Sequence, residues 1–283
     1  MQFLKRFARA KLPTLGLLIV VIVMVDALVG RWLTPYDPMA QNIMKRLMPP
    51  LGVDGGRLHL LGTEALGRDI LSRLMVGAQV SMLVGFASVL VSGIVGVALG
   101  MIAGYDDRRI GRAIMALTDI QLAIPFLVLS IAVIAVLGPS LWNLILVLGL
   151  TNWVQYARVV RAECLTLRNR EYVQAARALG ASTPRILLRH LLPNVLPAVV
   201  VISSLLVARM ILFESSLSFL GLGVPPSIPT WGGMISDGRN YMANAWWVAA
   251  MPGLAIFITV VAINLVGDRL RDMLDPRLKQ MEG

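Results

Sequence analysis

The chain has 283 residues, of which 57% are hydrophobic and 15% charged, with a formal charge of +10 and a mean hydropathy of +0.75. A soluble domain is about a quarter charged, yet no charge occurs here between Arg73 and Asp106, between Asp119 and Arg158, or between Arg239 and Asp268. A soluble globular protein is thereby excluded, and the basic residues follow a membrane topology rather than a nucleic-acid surface.

A spanning helix needs about 20 predominantly apolar residues, and six such segments are expected. A basic tail, residues 1–14 with "KRFARAK", precedes a first span over 15–33. This run reads as a retained anchor and not a signal peptide, because it is long, lacks a small-residue cleavage site and leads into "GRWLTPYDP". An outer segment, 34–78, follows. A five-helix core over 79–268 then holds spans at 79–103, 113–137, 141–157, 194–213 and 247–267. A loop at 158–193 lies on the basic side, an outer loop at 214–246 on the opposite side, and residues 269–283 form a tail.

Sidedness comes from Lys and Arg. Six spans put both termini on one side, together with Arg108, Arg109, Arg112 and the arginines from Arg158 to Arg189. The other side keeps Arg31, Lys45, Arg46, Arg57, Arg68, Arg73, Arg209 and Arg239. The richer side is the cytoplasm, so both termini are expected there. Trp231, Tyr241, Trp246 and Trp247 suit the outer membrane–water interface. The one cysteine, Cys164, excludes an internal disulfide framework and reads as a small apolar residue.

Within the cytoplasmic loop, "EYVQAARALGASTPRILLRHLLP" (171–193) is polar between apolar runs. Tyr172, Ala175, Ala176 and Leu179 share one helical face, which the two alanines make flat. Gly180 stands where a left-handed cap ends a helix. Thr183 is the expected N-cap of a second helix and Pro184 its first residue. Arg185 and Arg189 share a side of that helix, and Pro193 and Pro197 mark entry to the fifth span. Such a hairpin suits two occupants: anionic lipid drawn to its arginines, or a soluble protein.

This stretch resembles the cytoplasmic loop signature of binding-protein-dependent ABC importer permeases. Ala175, Ala176, Gly180, Leu192 and Pro193 match in register, while Gln174 stands where the signature has Glu and His190 where it has an apolar residue. Glu171 lies one turn earlier. "HLLGTEALGRDILSRLMVGAQVSMLVG" (59–85) and "ESSLSFLGLGVPPSIPTWGGMISDG" (214–238) resemble the dipeptide/oligopeptide/nickel subfamily, specifically the second, C-type, of its paired subunits. Gln79 replaces an Arg common there. The resemblance implies an all-α integral membrane protein with six transmembrane helices and a cytoplasmic coupling-helix hairpin, like type I ABC importer permeases. It further implies a heterodimer with a second permease subunit in the bacterial inner membrane. Two cytoplasmic ATPase subunits would carry the ATP and Mg2+, with no cofactor in this chain, and an extracytoplasmic binding protein would deliver short peptides. Glu171, Gln174, Ala175, Ala176, Gly180, Arg185, Leu192 and Pro193 would form the coupling loop. Nickel or another small solute is the alternative cargo.

Other classes fit less well. A self-contained ATPase needs a phosphate loop ending in Gly-Lys-Ser/Thr, and none of the four lysines follows a glycine. A membrane-embedded enzyme needs a nucleophile or metal site within a span, and both histidines, His59 and His190, fall outside the spans. An ion-coupled transporter needs midplane charges, each costing roughly 2.5–3.5 kcal/mol on insertion scales. Asp26, Asp119 and Arg209 are the candidates, with Glu214 a potential partner for Arg209. A structural or gating role is expected of all four, and no metal site.

Overall fold

Apolar runs become helices because hydrocarbon offers their backbone groups no other partner. The computed structural model describes residues 11–106 and 108–274. The expected tails at 1–14 and 269–283 lie largely outside them. Nine helices are described: α1 (Lys11–Leu33), α2 (Ile70–Tyr105), α3 (Arg109–Leu122), α4 (Phe126–Leu137), α5 (Leu141–Leu167), α6 (Glu171–Ala178), α7 (Thr183–Phe219), α8 (Trp231–Gly238) and α9 (Trp247–Leu274). Four of them, α1, α2, α7 and α9, are individually long and apolar enough to cross a membrane.

The third expected span is not one straight helix. It breaks into α3 and α4, which meet at an angle of 87°. Pro125 has no N–H to donate, and its ring pushes Ile124 out of the helical region. Counted as one span, this pair is the fifth. The fourth expected span falls on α5, 27 residues long, whose apolar content is diluted by Asn143, Asn152 and Gln155. The ends also move. α2 begins at Ile70 rather than Gln79, and α9 runs on to Leu274.

Thr183 is not the N-cap of α7; that position belongs to Ser182, with Thr183 the first helical residue. Nor is there a break between hairpin and fifth span. α7 is continuous over 37 residues, with a π turn at Leu187–Leu191. There the Leu192 N–H donates to Leu187 O, one residue farther back than in an α-helix. Pro193 cannot donate and would crowd the preceding turn. The widened π turn directly before it accommodates that defect.

The chain divides into two compact units. One comprises residues up to Phe86, Ile134–Ile145 and Val207–Val266. Its core is Ile70, Met234, Ala245, Trp247 and Val248. Trp231 and Trp247, expected at the lipid interface, are buried instead. The indole of Trp231 donates to Leu74 O at 3.0 Å and that of Trp247 to Thr63 O at 3.4 Å. Buried indoles need such acceptors. Trp246 remains exposed.

The outer segment of this unit adds a small antiparallel hairpin, β1 (Gly52–Asp54) and β2 (Arg57–His59), to the expected helices. Its turn uses Gly55 and Gly56 at positive φ, the requirement of a tight hairpin turn. Beside it, buried polar groups are paired. His59 Nδ1 meets Asp69 Oδ1 at 2.9 Å and Tyr36 stacks on the imidazole. Arg68 Nε donates to Glu64 Oε1 at 2.7 Å, and Arg73 lies 3.2 Å from Glu64 and 3.6 Å from Asp237. Burial pushes the Asp237 carboxyl above its ordinary range, and Arg73 opposes that shift.

The second unit comprises Ala87–Val133, Leu146–Leu206 and the residues from Gly267 onward. Its interior seam is α2 on α5, built on glycines four apart. A Cβ on Gly96 would overlap Trp153 O. One on Gly100 would sit 2.8 Å from Ala157 O, and one on Gly104 2.5 Å from Cys164 Cβ. Helices drawn this close gain packing that lipid cannot supply. Ser92 Oγ ties the seam by donating to Gly149 O at 2.9 Å.

Candidate functional site

The hairpin is fixed from below by apolar anchors. Val173 of α6 and Ile186, Leu191 and Val195 of α7 are buried with Met101, Val160 and Cys164. Cys164 is free and buried, in the apolar role expected of it. Two arginines pin the same region to the end of α2. Arg168 Nη1 donates to Gly104 O at 3.1 Å and Tyr105 O at 3.2 Å, and the Arg177 guanidinium lies over the Tyr105 ring at 5.1 Å. Cations at a helix C-terminus satisfy its last carbonyls and its dipole.

The corner closes as a Schellman motif. The Gly180 N–H donates to Arg177 O and the Ala181 N–H to Ala176 O, both at 3.0 Å. Gly180 has φ +81°, a value that side-chain-bearing residues rarely adopt. What remains outward is the face expected from the sequence. Tyr172, Ala175 and Leu179 are exposed, Leu179 by 88%, and Ala176 is half-buried. Glu171, Gln174, Arg185 and Pro193 are also exposed, and Leu192 is half-buried. Gln174 Nε2 donates to Asn169 O at 3.2 Å. His190 is tilted toward Tyr172, 6.3 Å between centroids, linking the two arms.

The four charges singled out in spans have different fates. Asp119 pairs with Arg158 at 2.6 Å, and both side chains are about half exposed or more. An exposed pair contributes about 0–1 kcal/mol. Asp119→Asn is therefore expected to leave uptake and melting temperature nearly unchanged; a transporter coupled through that carboxylate would lose uptake. Asp26 is half-buried on α1 near Gly30. Arg209 and Glu214 do not pair. Five residues apart on a helix they point about 140° away from one another, and Arg209 is exposed.

Glu214 is fully buried and holds hydroxyls instead. Ser81 Oγ donates at 3.0 Å, Ser215 Oγ at 3.3 Å and Ser218 Oγ at 2.8 Å. The carboxylate thus joins α2 to α7. Glu214→Leu would strand buried hydroxyls at about 1–3 kcal/mol, lowering the melting temperature of the purified protein, whereas Glu214→Gln keeps acceptors and costs less. Among the described residues no group of three or more His, Cys, Asp or Glu could hold a metal ion.

Sequence reasoning missed the anchor Val173, the arginine clamps and the glycine seam. The spacing Gly96, Gly100, Gly104 was there to be read as a close-packing motif; the clamps join residues far apart in sequence and leave no local signal.

The helical arrangement has a counterpart among solved structures. It matches the methionine transporter MetNI in inward-facing conformations, with a TM-score of 0.57 and 21% identity over 72% of this chain and 96% of that one. Residues 96–280 match the binding-protein-dependent transport system inner membrane component family, and residues 1–50 the N-terminal transmembrane domain of oligopeptide transport permease C. The chain is 44% identical to the di/tripeptide transport system permease protein DppC of Pseudomonas aeruginosa, over 98% of this chain and 92% of that one. It is 45% identical to the dipeptide transport system permease protein DppC of Escherichia coli K12, over 99% and 93%. The chain belongs to the family of binding-protein-dependent transport system inner membrane components and is a multi-pass inner membrane protein.

Proposed function

We propose that this chain is the C-type permease subunit of an ATP-driven importer of short peptides, working by alternating access beside a second, homologous permease. The observation that carries the reading is the outward face of α6: flat, apolar, rigidly anchored by Val173 and capped at Gly180. A soluble ATPase subunit seats on that face and transmits ATP binding and hydrolysis to the spans. The chain itself does no hydrolysis; its sequence has no Gly-Lys-Ser/Thr phosphate loop. Both termini and the hairpin face the cytoplasm, in keeping with the Lys and Arg distribution, and a binding protein delivers cargo to the opposite side. Peptides are favoured as cargo by the names of the relatives, di/tripeptide and dipeptide permeases.

The test is purification of the tagged chain in mild detergent, followed by reconstitution with its co-purifying subunits and binding protein. ATP-dependent uptake of labelled dialanine, with ATPase activity stimulated by the loaded binding protein, is the expected result. Uptake of nickel but not dialanine would reassign the cargo. A chain that purifies alone without ATPase activity would overturn the importer reading.

A further inference from the structure

The break between α3 and α4 opens a cleft of about 160 Å³, lined by Gln121, Pro125, Phe126, Thr151, Asn152 and Gln155 among others. Its walls carry side-chain amides rather than charges. Asn152 and Gln155 lie three apart on α5, so they share a face. Asn152 is 6% exposed, and its amide nitrogen donates to Leu148 O at 2.9 Å. Gln155 is half-buried on the same wall. Gln121 stands opposite, held at both ends: its oxygen accepts from Trp153 Nε1 at 2.8 Å and its nitrogen donates to Thr151 O at 2.5 Å. One N–H of that amide is left over. The cleft is also bounded by the C-terminal end of α3 and the N-terminal end of α4, the negative and positive ends of two helix dipoles.

Broken spans whose half-helix ends border a polar recess are where transporters hold solutes near the bilayer midplane. Side-chain amides both donate and accept, as a peptide unit does, and they are neutral, so they bind backbone whatever the neighbouring side chains are. The lining has no His, Cys or carboxylate that a metal cation would require. The volume exceeds the share of several waters, about 30 Å³ each.

We propose that this cleft is a transit site for the backbone of a short peptide, with Asn152 and Gln155 pairing with one peptide unit and Gln121 offering its spare N–H. The proposal rests on the peptide-importer reading and extends it to named residues on the translocation path.

Gln155→Cys in the assembled importer in proteoliposomes provides the test. The chain's sole cysteine, Cys164, is buried, so a small polar maleimide reports on position 155. Dialanine supplied with binding protein and ATP is expected to slow labelling several-fold, and free alanine at the same concentration is not. Separately, Gln155→Leu lowers dialanine uptake about tenfold through lost hydrogen bonds, and Gln155→Asn restores most of it. Equal labelling rates with and without dialanine, in an importer that carries dialanine, overturn the proposal, as does failure of position 155 to label at all. A wild-type importer that takes up no dialanine overturns the peptide reading itself, and this site with it.

Discussion

Gly100→Leu is expected to prevent the chain from accumulating as a folded membrane protein. Even a single Cβ at this position would lie 2.8 Å from Ala157 O, 2.9 Å from Val160 Cβ and 3.0 Å from Ala157 Cα. Two of those three atoms belong to backbone, so no rotamer change relieves them. α2 and α5 would have to part along the seam that Gly96 and Gly104 also form. Overpacking of an ordinary core costs about 1–3 kcal/mol; here a whole leucine must be placed where one carbon does not fit. Gly93 supplies the control, since its Cβ would meet Tyr156 at an ordinary 3.7 Å. Gly93→Ala is expected to accumulate and melt like the parent. Membrane levels and thermal melting of the two variants, side by side, check the prediction. Comparable melting for Gly100→Leu and the parent would show that the seam is not tightly closed.

Gly180→Val is expected to separate insertion from transport. A Cβ here meets open space, so nothing clashes and the membrane helices fold. The difficulty is the backbone: at φ +81° a β-branched residue is strongly disfavoured, with an αL cost of roughly 1–2 kcal/mol even for ordinary residues. The relief is to rotate the corner out of its cap, breaking the bonds from Gly180 to Arg177 and from Ala181 to Ala176 and tilting α6 on its anchor Val173. Uptake is expected to fall more than tenfold while membrane levels stay normal. Gly180→Asn, which tolerates the left-handed region, is expected to retain most activity. Normal uptake by the valine variant would remove the hairpin from the coupling pathway.

The hairpin was legible because its determinants are local. An i, i+3, i+4, i+7 face, a cap glycine and a proline near a helix start all act within a turn or two, and the spans declare themselves by composition. Features that depend on a neighbour were not legible. Nothing near Asp119 in the sequence names Arg158 as its partner, and nothing near Glu214 names Ser81. Trp231 and Trp247 follow the composition of an interface belt, yet both are buried, and their indoles find Leu74 O on α2 and Thr63 O in the outer segment as acceptors. The bend at Pro125 was there to be read, since a proline disfavours helix at the residue before it and suits the start of the next one. A proline within a span is commonly tolerated, so composition alone reads 113–137 as one span.

The exposed crest of the hairpin has a consequence for supply. Leu179, with Tyr172 and Leu188 also exposed, is apolar surface that water would ordinarily drive into cover. If an ATPase subunit seats on α6, as proposed, a copy without that subunit leaves the crest uncovered. On the proposed reading, excess copies of the chain over its ATPase subunit are expected to be cut first at this leucine-tipped turn, which limited proteolysis with and without the ATPase subunit checks.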